Sequence, residues 1–273
     1  MIKLIASDID GTLLTNHGQT VPERTADLIR RLIDKGIYFT AASGRQYSNL
    51  RRMFDPISEN ICYAAENGCL CAHKNEIISK MYLPQDICMD IIDAIHDFPD
   101  CYGMVSGVNT SYIDTDNPEI YDLIKNTNKY NVTKVKDLKT DVPEPILKIA
   151  VCDPKHGTTR IGPHFGKLFH GEVHAVTAGL IWVDFVGDNA NKGLGLKAIL
   201  DYLHIDPSEC IAFGDQLNDI EMLKVAGTSY AMSTGMPEVR ALANHITDCV
   251  DDVLEEILRT LYSIHKAIIN QTF

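Results

Sequence analysis

Short apolar runs alternate with an amphipathic pattern in the first third of the chain. The runs at 2–6, 37–42 and 61–65 are typical of buried strands. Between the first two, apolar residues recur with helical spacing over 28–33, after a polar stretch with turn chemistry at 16–18. Strands and helices in alternation favour a parallel sheet that is covered by helices.

The same alternation returns in the last third of the chain. Helices are predicted at 192–203, 220–225 and 237–243, and strands at 209–213 and 229–232. Because the two ends of the chain share one pattern, we expect them to form one parallel sheet with right-handed crossovers.

The middle of the chain, residues 84–187, has a different pattern. Some of its segments alternate polar and apolar residues, as an antiparallel sheet with one exposed face would. Strands are predicted near 102–108, 146–152 and 180–186, and helices near 87–98 and 119–130. We therefore predict an α/β fold in which a core of residues 1–83 and 188–273 contains an inserted α/β domain of residues 84–187.

Composition and charge narrow the function classes. The chain of 273 residues is 45% hydrophobic and 23% charged, which is ordinary for a globular protein. Its formal net charge of −12 argues against non-specific nucleic-acid binding. No stretch approaches the about 18 apolar residues of a membrane span, and acids follow the first apolar run, unlike a signal peptide. We expect a cytoplasmic protein whose eight cysteines, without any C-x-x-C pair, are reduced.

Polar side chains gather where the predicted parallel strands end, which is where α/β sheets bind ligands. These residues are Asp8, Asp10, Ser43, Gly44, Arg45, Asp215, Asn218 and Asp219, with Lys192 at a helix start. Four aspartates in one cleft would repel each other, and a hard divalent cation would relieve that repulsion. A site with only a few carboxylates and with open coordination positions suits Mg²⁺.

The remaining groups of this cleft predict a phosphoryl site. Lys192 adds a positive charge, while the Ser43 hydroxyl and the Gly44 amide supply hydrogen-bond donors. Asp8, at the strand end, is placed to attack phosphorus and form an aspartyl-phosphate. Asp10, two residues further, is placed to protonate the leaving oxygen and then to deprotonate water.

Four motifs together make the chain resemble the haloacid dehalogenase superfamily, and within it the Cof-like phosphatases. They are DIDGTLL at 8–14, SGR at 43–45, NKG at 191–193 and GDQLND at 214–219. The resemblance covers essentially the whole length. It implies a Rossmann-like core with a large α/β cap, here residues 84–187, that selects the substrate.

The resemblance also implies a role for each motif residue. Asp8 would be the nucleophile and Asp10 the general acid and base. Mg²⁺ would be held by the carboxylates of Asp8 and Asp215 and by the backbone carbonyl of Asp10. The phosphate would be bound by Ser43, Gly44, Lys192 and Asn218, with Asp219 supporting the metal and the lysine from behind. Arg45 would either bind substrate or pair with a surface acid.

The function that these residues predict is a Mg²⁺-dependent phosphatase of small phosphorylated metabolites such as sugar phosphates. Two alternatives stay open. One is a phosphomutase of the same superfamily, which passes the phosphoryl group to a sugar instead of water. The other is a phospho-accepting signalling module resembling a receiver domain, which uses similar residues without turnover.

Overall fold

The computed structural model describes residues 1–15, 18–55, 57–178 and 180–271, with the backbone alone at residue 178 and from residue 264 onward. Fourteen strands within these ranges form two sheets, and nine α-helices accompany them. The turn predicted at 16–18 lies partly outside the described residues. None of the described helices combines the length and the apolar character needed to cross a membrane.

The strands are β1 Leu4–Asp8, β2 Tyr38–Ala42, β3 Cys62–Ala65, β4 Leu70–His73, β5 Glu76–Lys80, β6 Tyr102–Ser106, β7 Ser111–Ile113, β8 Val132–Lys134, β9 Lys148–Cys152, β10 His174–Ala178, β11 Trp182–Val186, β12 Cys210–Gly214, β13 Thr228–Met232 and β14 His245–Thr247. The α-helices are α1 Glu23–Ile33, α2 Tyr47–Met53, α3 Gln85–His96, α4 Pro118–Asp122, α5 Thr158–Leu168, α6 Lys192–Leu203, α7 Ile220–Val225, α8 Pro237–Leu242 and α9 Val250–Gln271.

Eight strands form the large sheet, in the order β14-β13-β12-β1-β2-β3-β4-β5. The six strands from β14 to β3 pair in parallel, whereas β4 and β5 add an antiparallel hairpin at one edge. Lys74 and Asn75, which connect β4 to β5, both have positive φ, of 48° and 65°. Two successive residues with positive φ are typical of a tight hairpin turn. The predicted α/β class with a parallel core is confirmed, and the hairpin is an addition to it.

Both faces of the large sheet are buried. In β1, Ile5 packs on the side of α1, α2 and α9, while Leu4 and Ala6 pack on the side of α6, α7 and α8. Successive side chains of a strand point to opposite faces, so a strand buried on both faces is continuously apolar. This is why the first apolar run of the sequence marked a central strand, although β1 begins and ends two residues later than predicted.

The small sheet contains the other six strands, in the order β10-β11-β9-β6-β7-β8. All of them lie between Tyr102 and Val186, so the chain leaves the large sheet after β5 and returns to it at β12. Helices α3 and α5 pack on one face of this sheet around Ile149 and Phe185. The domain limits at 83/84 and 187/188 stay a prediction.

Candidate active site

Two aspartates lie at the ends of neighbouring strands, at the point in the large sheet where the chain connections run in opposite directions. Asp8 is the last residue of β1, and Asp215 directly follows β12. The chain passes from β1 to β2 on one side and from β12 to β13 on the other. Such a reversal leaves a crevice beyond the carboxyl ends of the two strands. The first acids of the predicted site therefore lie where an open α/β sheet binds ligands.

Asp8, Asp215 and Asp219 form a buried carboxylate cluster. One oxygen of each lies within 4.8 Å of the others. Asp219 reaches the cluster because the turn closes on itself, with its Oδ2 accepting hydrogen bonds at 2.9 Å from the N–H groups of Asp215 and Gln216. The GDQLND motif is thus a closed turn that presents two carboxylates to one point.

Lys192 is the charged partner of this cluster. It is the first residue of α6 and only 1% exposed. Its Nζ lies 2.5 Å from Asp8 Oδ1 and 2.6 Å from Asp219 Oδ1. Burial lowers the pKa of Lys192, but Asp219 and Asp8 raise it by more, so that the pKa lies above its ordinary value. The lysine is therefore a fixed positive charge.

The electrostatic balance around Asp8 is unfavourable to its charged form. Burial raises the pKa of the Asp8 carboxyl well above its ordinary value, Lys192 lowers it, and the carboxylates of Asp219 and Asp215 raise it further. One lysine thus faces three carboxylates, which leaves an excess of negative charge in a buried place. A further cation would favour the ionised Asp8.

The loop after β1 packs directly against Asp215. Gly11 has a φ of +93°, and a Cβ at this position would lie 2.4 Å from Asp215 Oδ2. The Thr12 hydroxyl donates a hydrogen bond of 2.7 Å to Asp215 Oδ1. Gln216 Nε2 donates one of 2.8 Å to Asp215 Oδ2. These contacts fix the direction of the Asp215 carboxylate. The roles of Thr12 and Gln216 in this are not among those predicted from the sequence.

Ser43 and Gly44 follow β2, the strand beside β1. With Asp8 and Lys192 they line a cavity of about 930 Å³ between the two sheets. The Ser43 hydroxyl oxygen accepts a hydrogen bond of 3.2 Å from the Arg45 N–H, a bond that does not use the hydroxyl hydrogen. The Ser43 hydroxyl hydrogen therefore stays available for donation into the cavity.

Asn218 lines the same cavity and is held by a turn that follows β3. Its Nδ2 donates a hydrogen bond of 3.2 Å to Asn67 Oδ1. Glu66 and Asn67 are buried and have positive φ of 51° and 56°. The sequence predicts a strand end here but no role for the turn, although polar residues at the end of a third parallel strand are a usable signal.

Arg45 forms a two-pronged ion pair with Asp10. The Nε donates to Asp10 Oδ2 and the Nη2 to Asp10 Oδ1, both at 2.7 Å. The remaining nitrogen of Arg45, Nη1, donates a hydrogen bond of 2.9 Å to Gln19 Oε1. Arg45 therefore pairs with an acid of the site itself, and direct substrate binding by Arg45 stays a prediction.

The small sheet supplies the opposite wall of the cavity. Its lining side chains were not identified from the sequence, because their position depends on how the two sheets pack. They include Met104, Lys148, Ala150, Trp182 and Asp184. Of the sequence-predicted residues, all line this cavity except Asp219, which is fully buried behind Lys192.

The donor set fits a divalent cation. The three clustered groups offer carboxylate oxygens, the hard ligands that Mg²⁺ and Ca²⁺ prefer, and among the described residues they are the group found with such spacing. Asp219 already accepts three hydrogen bonds through its two oxygens. Asp8 and Asp215 therefore have more oxygen lone pairs free for a metal than Asp219, and their role as ligands, which the family resemblance implies, stays a prediction.

A family model and several relatives match most of this chain. The model of the family described as haloacid dehalogenase-like hydrolase matches residues 5–257. A relative from Bacillus subtilis, the 5-amino-6-(5-phospho-D-ribitylamino)uracil phosphatase YitU, is 28% identical over 96% of this chain and 98% of its own. The HMP-PP phosphatase of Cronobacter sakazakii is 27% identical, with 90% of this chain and 89% of its own covered.

A solved structure shows the same architecture. A protein from Eubacterium rectale superposes with a TM-score of 0.83 and 31% identity, over 94% of this chain and 99% of its own. The match covers both sheets, so the inserted part of the chain belongs to the shared fold.

Proposed function

Because the chain belongs to the haloacid dehalogenase-like hydrolases and is a phosphatase of their Cof-like group, we propose that it hydrolyses small phosphorylated metabolites with Mg²⁺. The observation that supports this most is the contact of buried Lys192 with both Asp8 and Asp219, beside the Ser43–Gly44 loop. A fixed cation, a carboxylate and amide or hydroxyl donors around one cavity suit a phosphate group.

The proposed reaction has two steps. A carboxylate oxygen of Asp8 attacks phosphorus, the ester P–O bond breaks, and the leaving oxygen takes a proton from Asp10. Asp10 then accepts a proton from water, which attacks phosphorus and releases inorganic phosphate, so that Asp8 is restored. Arg45 fixes the direction of the Asp10 carboxylate through its two hydrogen bonds.

The other site residues bind and orient the phosphate in this proposal. Lys192 neutralises charge beside Asp8, while Ser43, the Gly44 amide and Asn218 donate hydrogen bonds. Asp8, Asp215 and the Asp10 backbone carbonyl would hold Mg²⁺, with Asp219 behind them. The metal would neutralise negative charge around the phosphate and favour ionised Asp8.

The cavity and the relatives support a proposal for the substrate class. YitU is named for a substrate whose phosphate is carried by a ribityl chain, which an amino group joins to a uracil ring. The cavity here has polar walls at Asp184 and Lys148 and apolar walls at Trp182 and Met104. We propose esters of small metabolites, sugar phosphates among them, with residues 84–187 acting as the cap. The cytoplasmic location stays a prediction.

The test is phosphate release from p-nitrophenyl phosphate with and without Mg²⁺, by wild type and Asp8→Asn. We expect turnover that EDTA abolishes, and a fall of at least about 10³-fold in kcat for Asp8→Asn, because the amide is not a nucleophile. Asp201→Asn is the matched control, since Asp201 pairs with Lys197 on the surface. Substantial activity in Asp8→Asn would contradict the proposal.

Two further outcomes separate the alternatives. Phosphorylation without turnover would indicate the signalling module. Formation of a sugar phosphate isomer in place of inorganic phosphate would indicate the phosphomutase.

A further inference from the structure

Lys148 and Asp184 of the small sheet form a buried ion pair that points at the large sheet. They lie on the adjacent strands β9 and β11, and their side chains are only 2% and 4% exposed. The Lys148 Nζ donates to Asp184 Oδ2 at 2.9 Å. The same Nζ donates to the Gly44 carbonyl oxygen at 2.7 Å and lies 2.7 Å from Glu66 Oε2. The pair therefore joins the two sheets beside the phosphate-binding loop.

The surroundings of Lys148 show that it acts through other residues. An ammonium group has three N–H bonds, and three oxygens surround this one. Burial lowers the pKa of Lys148, but Asp184 and Glu66 raise it by more, to well above its ordinary value. Two N–H groups of this charged lysine donate hydrogen bonds to Gly44 and Asp184, and the third nearby oxygen belongs to the ion-paired Glu66, so we expect Lys148 to act through these residues.

One series of hydrogen bonds connects Lys148 to Ser43. The bond to the Gly44 carbonyl fixes the peptide plane that also contains the Arg45 N–H. That N–H donates to the Ser43 hydroxyl oxygen at 3.2 Å. The orientation of one proposed phosphate donor is thus linked to a lysine of the other sheet.

A second series of hydrogen bonds connects Asp184 to Asn218. The Asn67 Nδ2 donates to Asp184 Oδ2 at 3.3 Å, and Asn67 Oδ1 accepts from Asn218 Nδ2 at 3.2 Å. Both proposed phosphate-binding loops are therefore connected to the same buried pair.

The turn at Glu66 and Asn67, which both series of hydrogen bonds adjoin, has a strained backbone that other parts of the chain must stabilise. Left-handed backbone is disfavoured for a residue with a side chain, although less so for asparagine, and Glu66 and Asn67 both adopt it. The Asn67 N–H donates to the Ser43 carbonyl oxygen at 3.0 Å, and the Glu66 N–H to the Arg45 carbonyl oxygen at 3.1 Å. Such conformations persist where the surroundings fix them, and Lys148 and Asp184 provide contacts to both residues.

We propose that Lys148 and Asp184 are positioning residues through which the small sheet fixes the geometry of the phosphate-binding loops. This inference rests on the proposed function, since it assumes that Ser43, Gly44 and Asn218 bind phosphate. The small sheet thereby has a role in the chemical step, in addition to contacting the leaving group.

The test compares Lys148→Met, Asp184→Asn and the double variant, at a temperature where circular dichroism shows each to be folded. The readouts are the affinity for inorganic phosphate, by calorimetry with Mg²⁺ present, and kcat with p-nitrophenyl phosphate. We expect phosphate affinity and kcat each to fall about 10-fold to 10²-fold in the single variants, because small displacements of binding groups have such effects. The double variant should lose little more than the worse single variant.

Lys139→Met is the matched control, because Lys139 pairs with Asp93 on the surface. It should change neither readout. If Lys148→Met does not fold, Asp184→Asn decides, since it keeps the shape of the side chain. Phosphate affinity and kcat within 2-fold of wild type, even with a lowered melting temperature, would overturn the inference. Because calorimetry needs no turnover, failure of the proposed function would show separately, as a wild type that binds phosphate without hydrolysing esters.

Discussion

Gly11 determines whether the first loop can approach Asp215. Its φ of +93° is disfavoured for residues with a side chain, and a Cβ would collide with the Asp215 carboxylate. We expect Gly11→Ala to lower the free energy of unfolding by at least about 1–2 kcal/mol and kcat by about 10²-fold, because Asp215 must move. Urea unfolding and phosphate release measure the two effects.

Gly162→Ala is the control for that substitution. Gly162 lies inside α5 with open space around it, so a methyl group meets nothing within 4 Å. An alanine inside a helix is up to about 1 kcal/mol more favourable than glycine. The control should therefore be neutral or stabilising with unchanged kcat. Equal effects of both substitutions would contradict the role given to Gly11.

Asp215 allows the metal proposal to be tested without turnover. A ligand that binds the folded state alone stabilises it, by about 2.7 kcal/mol at 100 times its dissociation constant. We expect Mg²⁺ to raise the melting temperature of wild type, and Asp215→Asn to need at least tenfold more Mg²⁺ for the same shift. Asp251→Asn, a partly buried aspartate near Arg24, should retain the full shift. An unchanged Mg²⁺ dependence in Asp215→Asn would exclude Asp215 as a ligand.

At the scale of single residues, the sequence predicts the placement of side chains that belong to one short motif. Asp8 and Asp10 are two residues apart at a strand end, so their neighbourhood follows from local structure. Lys148 and Asp184 are surrounded by apolar strand residues and reach the site only because two sheets pack together. No local pattern contains that distance information.

Among the elements, α5 depends on a single buried aspartate. The Asp153 side chain is fully buried and accepts hydrogen bonds at 3.1 Å and 2.9 Å from the N–H groups of Lys155 and His156. It also pairs with the Arg160 side chain, on α5. Burial raises the pKa of Asp153, but the hydrogen bonds from His156, Arg160 and Lys155 lower it by more, so that the pKa lies below its ordinary value.

We expect Asp153→Ala to lower the free energy of unfolding by about 2–3 kcal/mol, because several hydrogen bonds to a buried carboxylate are lost. Since the pKa is lower in the folded state, the ionised carboxylate stabilises the fold above the unfolded value of 3.8 and loses this effect as pH falls through the folded value. Urea unfolding at pH 7 and near pH 3.5 should show the difference from wild type narrowing. Asp116→Ala, at an exposed pair with Lys134, should leave the urea midpoint unchanged. A difference independent of pH would contradict this account.

The same helix shows why some elements could not be predicted. Thr158–Leu168 contains Gly162, Pro163 and Gly166, which disfavour a helix. Ile161 and Phe165 are nevertheless fully buried against the small sheet. Tertiary packing therefore outweighs local propensity here, whereas in α6, whose predicted bounds are confirmed, pattern and packing agree.

At the scale of the whole molecule, the two sheets contribute different groups to the cavity between them. The large sheet supplies the charged groups that we propose bind phosphate, and the small sheet supplies the opposite wall, which we expect to contact the rest of the substrate. Water exclusion and leaving-group contacts therefore depend on how the sheets face each other. A sequence can indicate that an insert exists, but the residues on its inner face follow only from this packing.

Trp182 is the side chain of that wall best suited to a ring. It lies on β11, is partly exposed and lines the cavity with Met104 and Ala150. An aromatic contact contributes about 0.5–1.5 kcal/mol beyond the area it buries. We expect Trp182→Ala to lower kcat/KM about 10-fold for the best ring-containing ester of a substrate screen, and less than 3-fold for the best ring-free ester, since the phosphate groups are untouched. Trp182→Phe, which keeps a ring, should retain most of the preference. Equal losses for both esters would mean that Trp182 supports the small sheet without selecting the substrate.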